Sequence, residues 1–203
     1  MNENQPAGWR REKDEGNPYT EKMNLGLRTG IYIITGIMAS GKSTIAQMLA
    51  EQFERGVHVH GDVFRRMIVN GRMEMTPGYS ESALQQLLLR YRITVRVAEM
   101  YYDAGFSVVV QDVYLGKVVE SFLDEFTSTP VYLITLNPSV EAVKDRERNR
   151  SKKGYTDWDV EALHKALNTE NPKIGLWIDT TDLSPEKTVS QIIQRAEPEA
   201  RIR

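Results

Sequence analysis

Gly36-Ile37-Met38-Ala39-Ser40-Gly41-Lys42-Ser43 decides the fold, because it matches the phosphate-loop pattern G-x-x-x-x-G-K-[ST] at every fixed position. The flanks agree with it. Upstream, Ile31-Tyr32-Ile33-Ile34-Thr35 is β-branched, aromatic and apolar, as a parallel strand buried on both faces should be. Downstream, Thr44-Ile45-Ala46-Gln47-Met48-Leu49-Ala50 spaces its apolar residues helically. Gly36 and Gly41 free the backbone to curl, so that the amides of Met38, Ala39, Ser40, Gly41, Lys42, Ser43 and Thr44 can face phosphate oxygens at a positive helix end. Lys42 is expected to extend into a solvent-filled cleft and reach terminal phosphates, and Ser43 to hold Mg²⁺.

Working outward, Gly56-Val57-His58-Val59-His60-Gly61 reads as a second strand with Asp62 at its carboxyl end, where ligands gather in open α/β sheets. Asp62 is equally placed to cap the helix that begins Asp62-Val63-Phe64-Arg65. His58 and His60 are expected as packed imidazoles, since no third metal ligand lies at a suitable spacing, and no transition-metal site is predicted. Residues 70–79 carry turn formers around Met73 and Met75, a loop able to present a tolerant apolar wall. A long amphipathic helix runs from Ser80 to Ala104, with Leu84, Leu87, Leu88, Tyr91, Val95 and Ala98 on one stripe and Gly105 at its end. Arg90, Arg92 and Arg96 lie beside or opposite that stripe. Phe106-Ser107-Val108-Val109-Val110-Gln111-Asp112 is a third strand ending in a carboxylate, the Walker B arrangement, which places Asp112 to complete a Mg²⁺ site with Ser43.

A fourth strand, Val131 to Leu136, leads through Asn137-Pro138 into a helix whose end is strongly basic. In the run 144–153, Arg146, Arg150 and Lys153 share one helix face; after a phosphate loop such a helix reads as a lid whose guanidiniums close on a transferring phosphoryl group. Asp157 to Leu167 is the lid's return helix, so the lid covers about residues 144–168. Gly175 to Thr181 is a fifth strand. Ser184, Pro185 and Lys187 open the last helix as N-cap, N1 and N3, and Val189, Ile192 and Ile193 pack it on the sheet. Residues 1–24 are polar and broken by Pro6, Gly8, Gly16 and Pro18, which predicts a flexible extension before a single domain over 25–203.

Composition bounds the function. The 203-residue chain is 40% hydrophobic, enough for one sizeable core, and its net charge of −2 offers no broad positive field to a long polyanion. With no Cys, disulfides and thiolate metal sites are excluded. No stretch approaches the ~18 apolar residues of a membrane span, so no membrane association and a cytoplasmic location are expected.

Five apolar strands alternating with helices give a three-layer α/β fold around a parallel sheet. The phosphate loop, Asp62-x-x-Arg65, the strand ending in Asp112, the arginine-rich lid and the ending Ile178-Asp179-Thr180-Thr181-Asp182-Leu183-Ser184-Pro185-Glu186 together resemble the small P-loop kinases. That group includes chloramphenicol phosphotransferase, gluconate and shikimate kinases and polynucleotide 5′-hydroxyl kinases. The resemblance implies a P-loop NTPase fold with strand order 2-3-1-4-5, ATP and Mg²⁺ as cofactors, and Asp62 as the base for an acceptor hydroxyl. Lys42, Arg146 and Arg150 would stabilise the transferring group. Arg65, Arg66, Met73, Met75 and Arg92 are the candidate acceptor contacts. A small-molecule hydroxyl is the expected acceptor, with the protein a monomer or homodimer. A polynucleotide-end kinase is the nearer alternative, although only scattered arginines lie outside the lid. A nucleotide-binding scaffold without turnover is the more distant one. A GTPase switch is disfavoured because neither Asp-x-x-Gly after the third strand nor an Asn-Lys pair is present.

Overall fold

A computed structural model describes residues 27–149, 154–155 and 157–203. The elements follow as β1 (Ile31–Thr35), α1 (Lys42–Ala50), β2 (Gly56–His60), α2 (Asp62–Arg66), α3 (Glu81–Asp103), β3 (Ser107–Gln111), α4 (Val118–Asp124), β4 (Val131–Leu136), α5 (Val140–Asn149), α6 (Val160–Glu170), β5 (Leu176–Ile178) and α7 (Pro185–Arg195), closed by a π-helical turn over Ala196–Ala200. The expected extension over 1–24, and Arg150 with Lys153 in the basic run, lie outside the described residues.

The five strands form one parallel sheet in the order β2-β3-β1-β4-β5. Every residue of β1, β3 and β4 is buried, because both faces of these inner strands carry helices. The period-2 alternation divides β1 between two layers. Tyr32 and Ile34 pack with Ile45 and Leu49 of α1 and Val189 and Ile192 of α7, whereas Ile31 and Ile33 pack with Tyr91 and Val95 of α3 and Phe122 of α4. A smaller cluster of Ile37, Val143, Val160, Leu163 and Leu167 binds α5 and α6 beside the phosphate loop.

Several boundaries differ from the expected ones, each for a local reason. The fifth strand stops at Ile178 because Asp179 Oδ1 accepts from the Thr181 amide at 2.9 Å and from its hydroxyl at 2.5 Å, folding the chain into a turn. The return helix starts at Val160, since Asp159 rather than Asp157 caps it through the Ala162 amide. α4 fills a stretch in which the sequence reading assigned no element. His58 and His60 are not core imidazoles: β2 is an edge strand, so both rings are half-buried, and His58 Nδ1 lies 3.0 Å from Gln47 Oε1. Ser184 caps α7 as its position predicts, and Ser80, expected as the first residue of the long helix, is instead its N-cap, with α3 beginning at Glu81. Among the described residues, no helix is long and apolar enough to cross a membrane.

Candidate functional site

The phosphate loop leaves the end of β1 and enters α1. Gly36 and Gly41 take φ of 142° and 99°, and Ala39 also enters the left-handed region at φ 60°. A Cβ on Gly36 would meet the Leu136 carbonyl oxygen at 2.5 Å and Ser40 Oγ at 2.8 Å, so the loop packs against β4 through a glycine that nothing larger can replace. Gly41 is the N-cap of α1 and provides no side-chain acceptor, which leaves the first amides of the helix available to an anion. Lys42 departs from its expected place. It is buried, at 8% exposure, and its Nζ donates to the Ile37 carbonyl at 2.8 Å, so it is folded over its own loop. Ser43 and Thr44 are exposed at the helix start.

The two candidate carboxylates come together beside this loop. Asp62 lies at the end of β2 and Asp112 at the end of β3, and one guanidinium, that of Arg90 on α3, faces both. Arg90 Nη2 donates to Asp112 Oδ1 at 3.2 Å, and its Nη1 is 3.7 Å from Asp62 Oδ1. Its Nε is 3.1 Å from Asp112 Oδ2, but the alignment is too poor for a hydrogen bond and neither atom has another. Asp112 also accepts from the Val113 amide at 2.8 Å. Burial pushes the Asp112 carboxyl above the usual carboxylate range, while Arg90, the Val113 amide and Lys42 oppose the rise. A divalent cation would reverse it by favouring the ionised form. Among the described residues no cluster of three or more His, Cys, Asp or Glu could hold a metal, so any Mg²⁺ at Ser43 and Asp112 needs phosphate oxygens or water to complete its shell.

Asp62 does not cap α2. The cap position is Gly61, without a side-chain bond, and the Asp62 carboxylate turns to Arg65 Nε at 2.8 Å and Arg66 Nε at 3.3 Å. Gly61 lacks a side chain for a steric reason: a Cβ there would lie 3.0 Å from Asp112 Cγ and closer still to Oδ2. Arg65 Nη1 continues to both carboxylate oxygens of Glu74, at 2.5 and 2.6 Å. Arg65, Met73, Met75, Ala83, Gln86, Leu87 and Arg90 then enclose a cavity of about 10 Å³, the size of a single water. Gln86 fastens the 70–79 loop through the Met73 amide and the Gly71 carbonyl, and Trp158 donates to the Met75 carbonyl at 2.9 Å.

Of two further expected residues, one lies away from the site and one lies against the phosphate loop. Arg92 is exposed, about 200° around α3 from Arg90, on the side away from Asp62. Arg146 lies on the β4–β5 side of the loop, donating to the Thr180 carbonyl at 2.5 Å and lying 3.4 Å from the Ser40 carbonyl. Next to it, the Tyr155 hydroxyl donates to the Met38 carbonyl at 2.8 Å, and Glu147 Oε1 accepts the Gly154 amide at 2.5 Å. The sequence gives no sign that Gly61 belongs to the site, and among Arg90, Arg92 and Arg96, each a possible substrate contact, it points to Arg92 where the structure brings Arg90. A shared helix face was the available signal for Arg90, since positions 83, 86, 87 and 90 recur at spacings of three and four.

Comparison with known proteins bears on the family and the fold. A family profile described as an AAA domain, AAA_33, matches residues 31–170. A UPF0200 protein of Aeropyrum pernix is 31% identical over 143 residues, which cover 69% of this chain and 75% of that protein. Among solved structures, the tunicamycin resistance protein of Deinococcus radiodurans aligns with a TM-score of 0.61 at 19% identity, over 86% of this chain and 98% of that one. An unliganded sugar kinase from Janibacter sp. aligns with a TM-score of 0.60 at 18% identity, over 82% and 94% respectively. At these identities the solved structures establish a shared fold.

Proposed function

Because the chain belongs to the AAA_33 family and has the fold of the small P-loop kinases, we propose that it transfers the γ-phosphoryl group of Mg·ATP to a hydroxyl of a small molecule. One observation carries the reading: two carboxylates from the ends of neighbouring strands meet at one guanidinium beside an uncapped helix start. A scaffold that only held nucleotide would use the second carboxylate for its ion pairs with Arg65, Arg66 and Arg90 alone, whereas a transferase also needs a base at this place.

Lys42 would exchange the Ile37 carbonyl for β- and γ-phosphate oxygens, while amides from Met38 to Thr44 hold the rest of the triphosphate. Ser43 and Asp112 would hold Mg²⁺, which would supply charge neutralisation on those phosphates. Asp62 orients the acceptor hydroxyl and takes its proton as the oxygen–phosphorus bond forms and ADP departs. Residues 25–203 form one kinase domain in this reading, with 144–168 as its lid. Arg146 would have to leave both carbonyls to reach the phosphoryl group, so charge neutralisation from the lid falls first to Arg150.

An ADP-release assay on the full chain, run across antibiotics, sugars, nucleosides and a 5′-hydroxyl oligonucleotide, tests the proposal. Acceptor-dependent ADP release is expected with a small hydroxyl compound. Release that no acceptor stimulates, with Mg·ATP still bound, would return the protein to the scaffold reading. Preferential labelling of the oligonucleotide would make it a polynucleotide kinase.

A further inference from the structure

Arg90 is a buried cation whose donors are poorly used. Its side chain is 12% exposed and carries five N–H groups, yet only the bond to Asp112 Oδ1 is well aligned. Among the described residues Nε has no hydrogen-bond partner, and Asp62 Oδ1, at 3.7 Å from Nη1, is too far for one. A guanidinium so far from water is costly to leave in this condition. Turnover would worsen it, because the proposed reaction gives Asp112 to the metal and Asp62 to the hydroxyl. Both of its anionic neighbours would then be engaged elsewhere.

We propose that Arg90, assisted by Arg65, binds an anionic group of the acceptor, so that the substrate is a hydroxyl compound bearing a carboxylate or phosphate close to the reacting oxygen. The inference rests on the phosphotransferase reading and adds a substrate class to it. Three features support it. Arg90 and Arg65 line the same cavity and both approach Asp62 Oδ1, at 3.7 and 2.8 Å, so an oxyanion held there places a nearby hydroxyl at the Asp62 carboxylate. The remaining wall is Met73, Met75, Ala83 and Leu87, while the amide of Gln86 is already committed to Met73 and Gly71. The two guanidiniums are therefore the polar recognition groups on offer, and their planar forks suit carboxylate or phosphate oxygens. Finally, Arg65 already grips a carboxylate, that of Glu74, which belongs to the loop closing the cavity. A substrate anion that displaced Glu74 would open the pocket as it entered.

The test uses full-length protein saturated with Mg²⁺ and a non-hydrolysable ATP analogue, which fills the phosphate loop and keeps an added anion out of it. Binding is measured by thermal shift and calorimetry for matched pairs: hydroxy acids against their amides, sugar phosphates against free sugars, nucleoside monophosphates against nucleosides. In at least one pair the charged member should bind about tenfold tighter or better, and Arg90→Gln should abolish that selectivity. Arg90→Lys, which keeps the charge, and Arg65→Gln, at a more exposed position, should each reduce it. Because both members of a pair meet the same saturated complex, altered nucleotide affinity does not move the ratio. Equal binding of neutral and charged members, binding of neither, or selectivity that survives all three substitutions overturns the inference. If the wild-type protein fails to bind the nucleotide analogue at all, the phosphotransferase reading falls instead. A carboxylate preference and a phosphate preference distinguish the two possible sources of the anion.

Discussion

Replacing Gly61 by Ala isolates the contact between the two carboxylate-bearing strand ends. Gly61 has φ −57° and ψ −35°, ordinary right-handed helical values, so an alanine incurs no backbone strain there. Taken alone, the lower entropy of the unfolded chain would stabilise the variant by about 0.4–1 kcal/mol. The new methyl, however, would sit 3.0 Å from Asp112 Cγ, at least about 0.5 Å inside the optimal carbon–carbon separation. The Asp112 side chain cannot retreat freely, being fixed by Arg90 and the Val113 amide. With Asp112 Oδ2 closer still, overpacking falls in the upper half of its usual range, about 2–3 kcal/mol, which outweighs the entropic gain and leaves a net loss of about 1–2.6 kcal/mol. For a chain of this length the Tm should fall by roughly 2–10 °C, measured by calorimetry in the absence of nucleotide. In an Asp112→Ala background only the contact with the Cβ of residue 112, at 3.3 Å, remains, so the same substitution should cost much less, giving a coupling of about 1 kcal/mol or more between the two positions. A neutral or stabilising Gly61→Ala in the otherwise wild-type protein would refute the reasoning, because Asp112 would then be free to move aside.

Other perturbations separate the proposed roles. Lys42→Ala should fold normally yet lose about 10²–10³ in kcat, and normal turnover would sink its assignment to the phosphates. Asp62→Asn should retain Mg·ATP affinity while transfer falls by about 10²–10⁴, whereas Asp112→Asn should raise the Mg²⁺ requirement; titrations at saturating acceptor distinguish them. Arg146→Lys should raise the KM for ATP more than it lowers kcat, since its guanidinium is tied to the Ser40 and Thr180 carbonyls; a purely kcat effect would restore it to the transferring group. Glu99 is the pH test. Burial would raise its carboxyl, but bonds from the Thr127 hydroxyl and amide and the Ser128 amide outweigh that and hold it below its ordinary value. A depressed folded value means that stability is present above the ordinary glutamate range, about 4.3, and is lost as pH falls through the lower folded value. Denaturation midpoints should therefore drop more steeply below about pH 4 in wild type than in Glu99→Gln.

Much of this architecture was legible because it follows from short-range rules. The phosphate-loop spacing, the buried strand β1, the bounds of β4 and the serine cap at Ser184 depend on residues within a few positions of one another. The bounds of β5 were misread because Asp179 and Thr181 form a side-chain turn that apolar periodicity does not register. The site was less legible because its contacts are tertiary. Among Arg90, Arg92 and Arg96 the sequence offers three similar cations on one helix, and only the rotation of α3 against α2 decides that Arg90 meets the carboxylates. Gly61 looks like the end of a strand until Asp112 is seen against it, and Lys42 looks solvated until its Ile37 contact is known.

The strand order divides the site by local stability. The phosphate loop grows from β1 and Asp112 from β3, inner strands whose amides are hydrogen-bonded on both sides of the sheet and sheltered by helices on both faces. Asp62 grows from β2, which has a single sheet neighbour and only one fully buried residue. Amide hydrogen exchange should accordingly be slowest in β1, β3 and β4 and faster in β2 and α2, so that the edge can open without unfolding the centre. The half of the site that would hold nucleotide therefore stands on the most protected ground in the molecule. The half that would meet the acceptor stands on a margin that can detach and reclose, taking Arg65 and its grip on Glu74 with it.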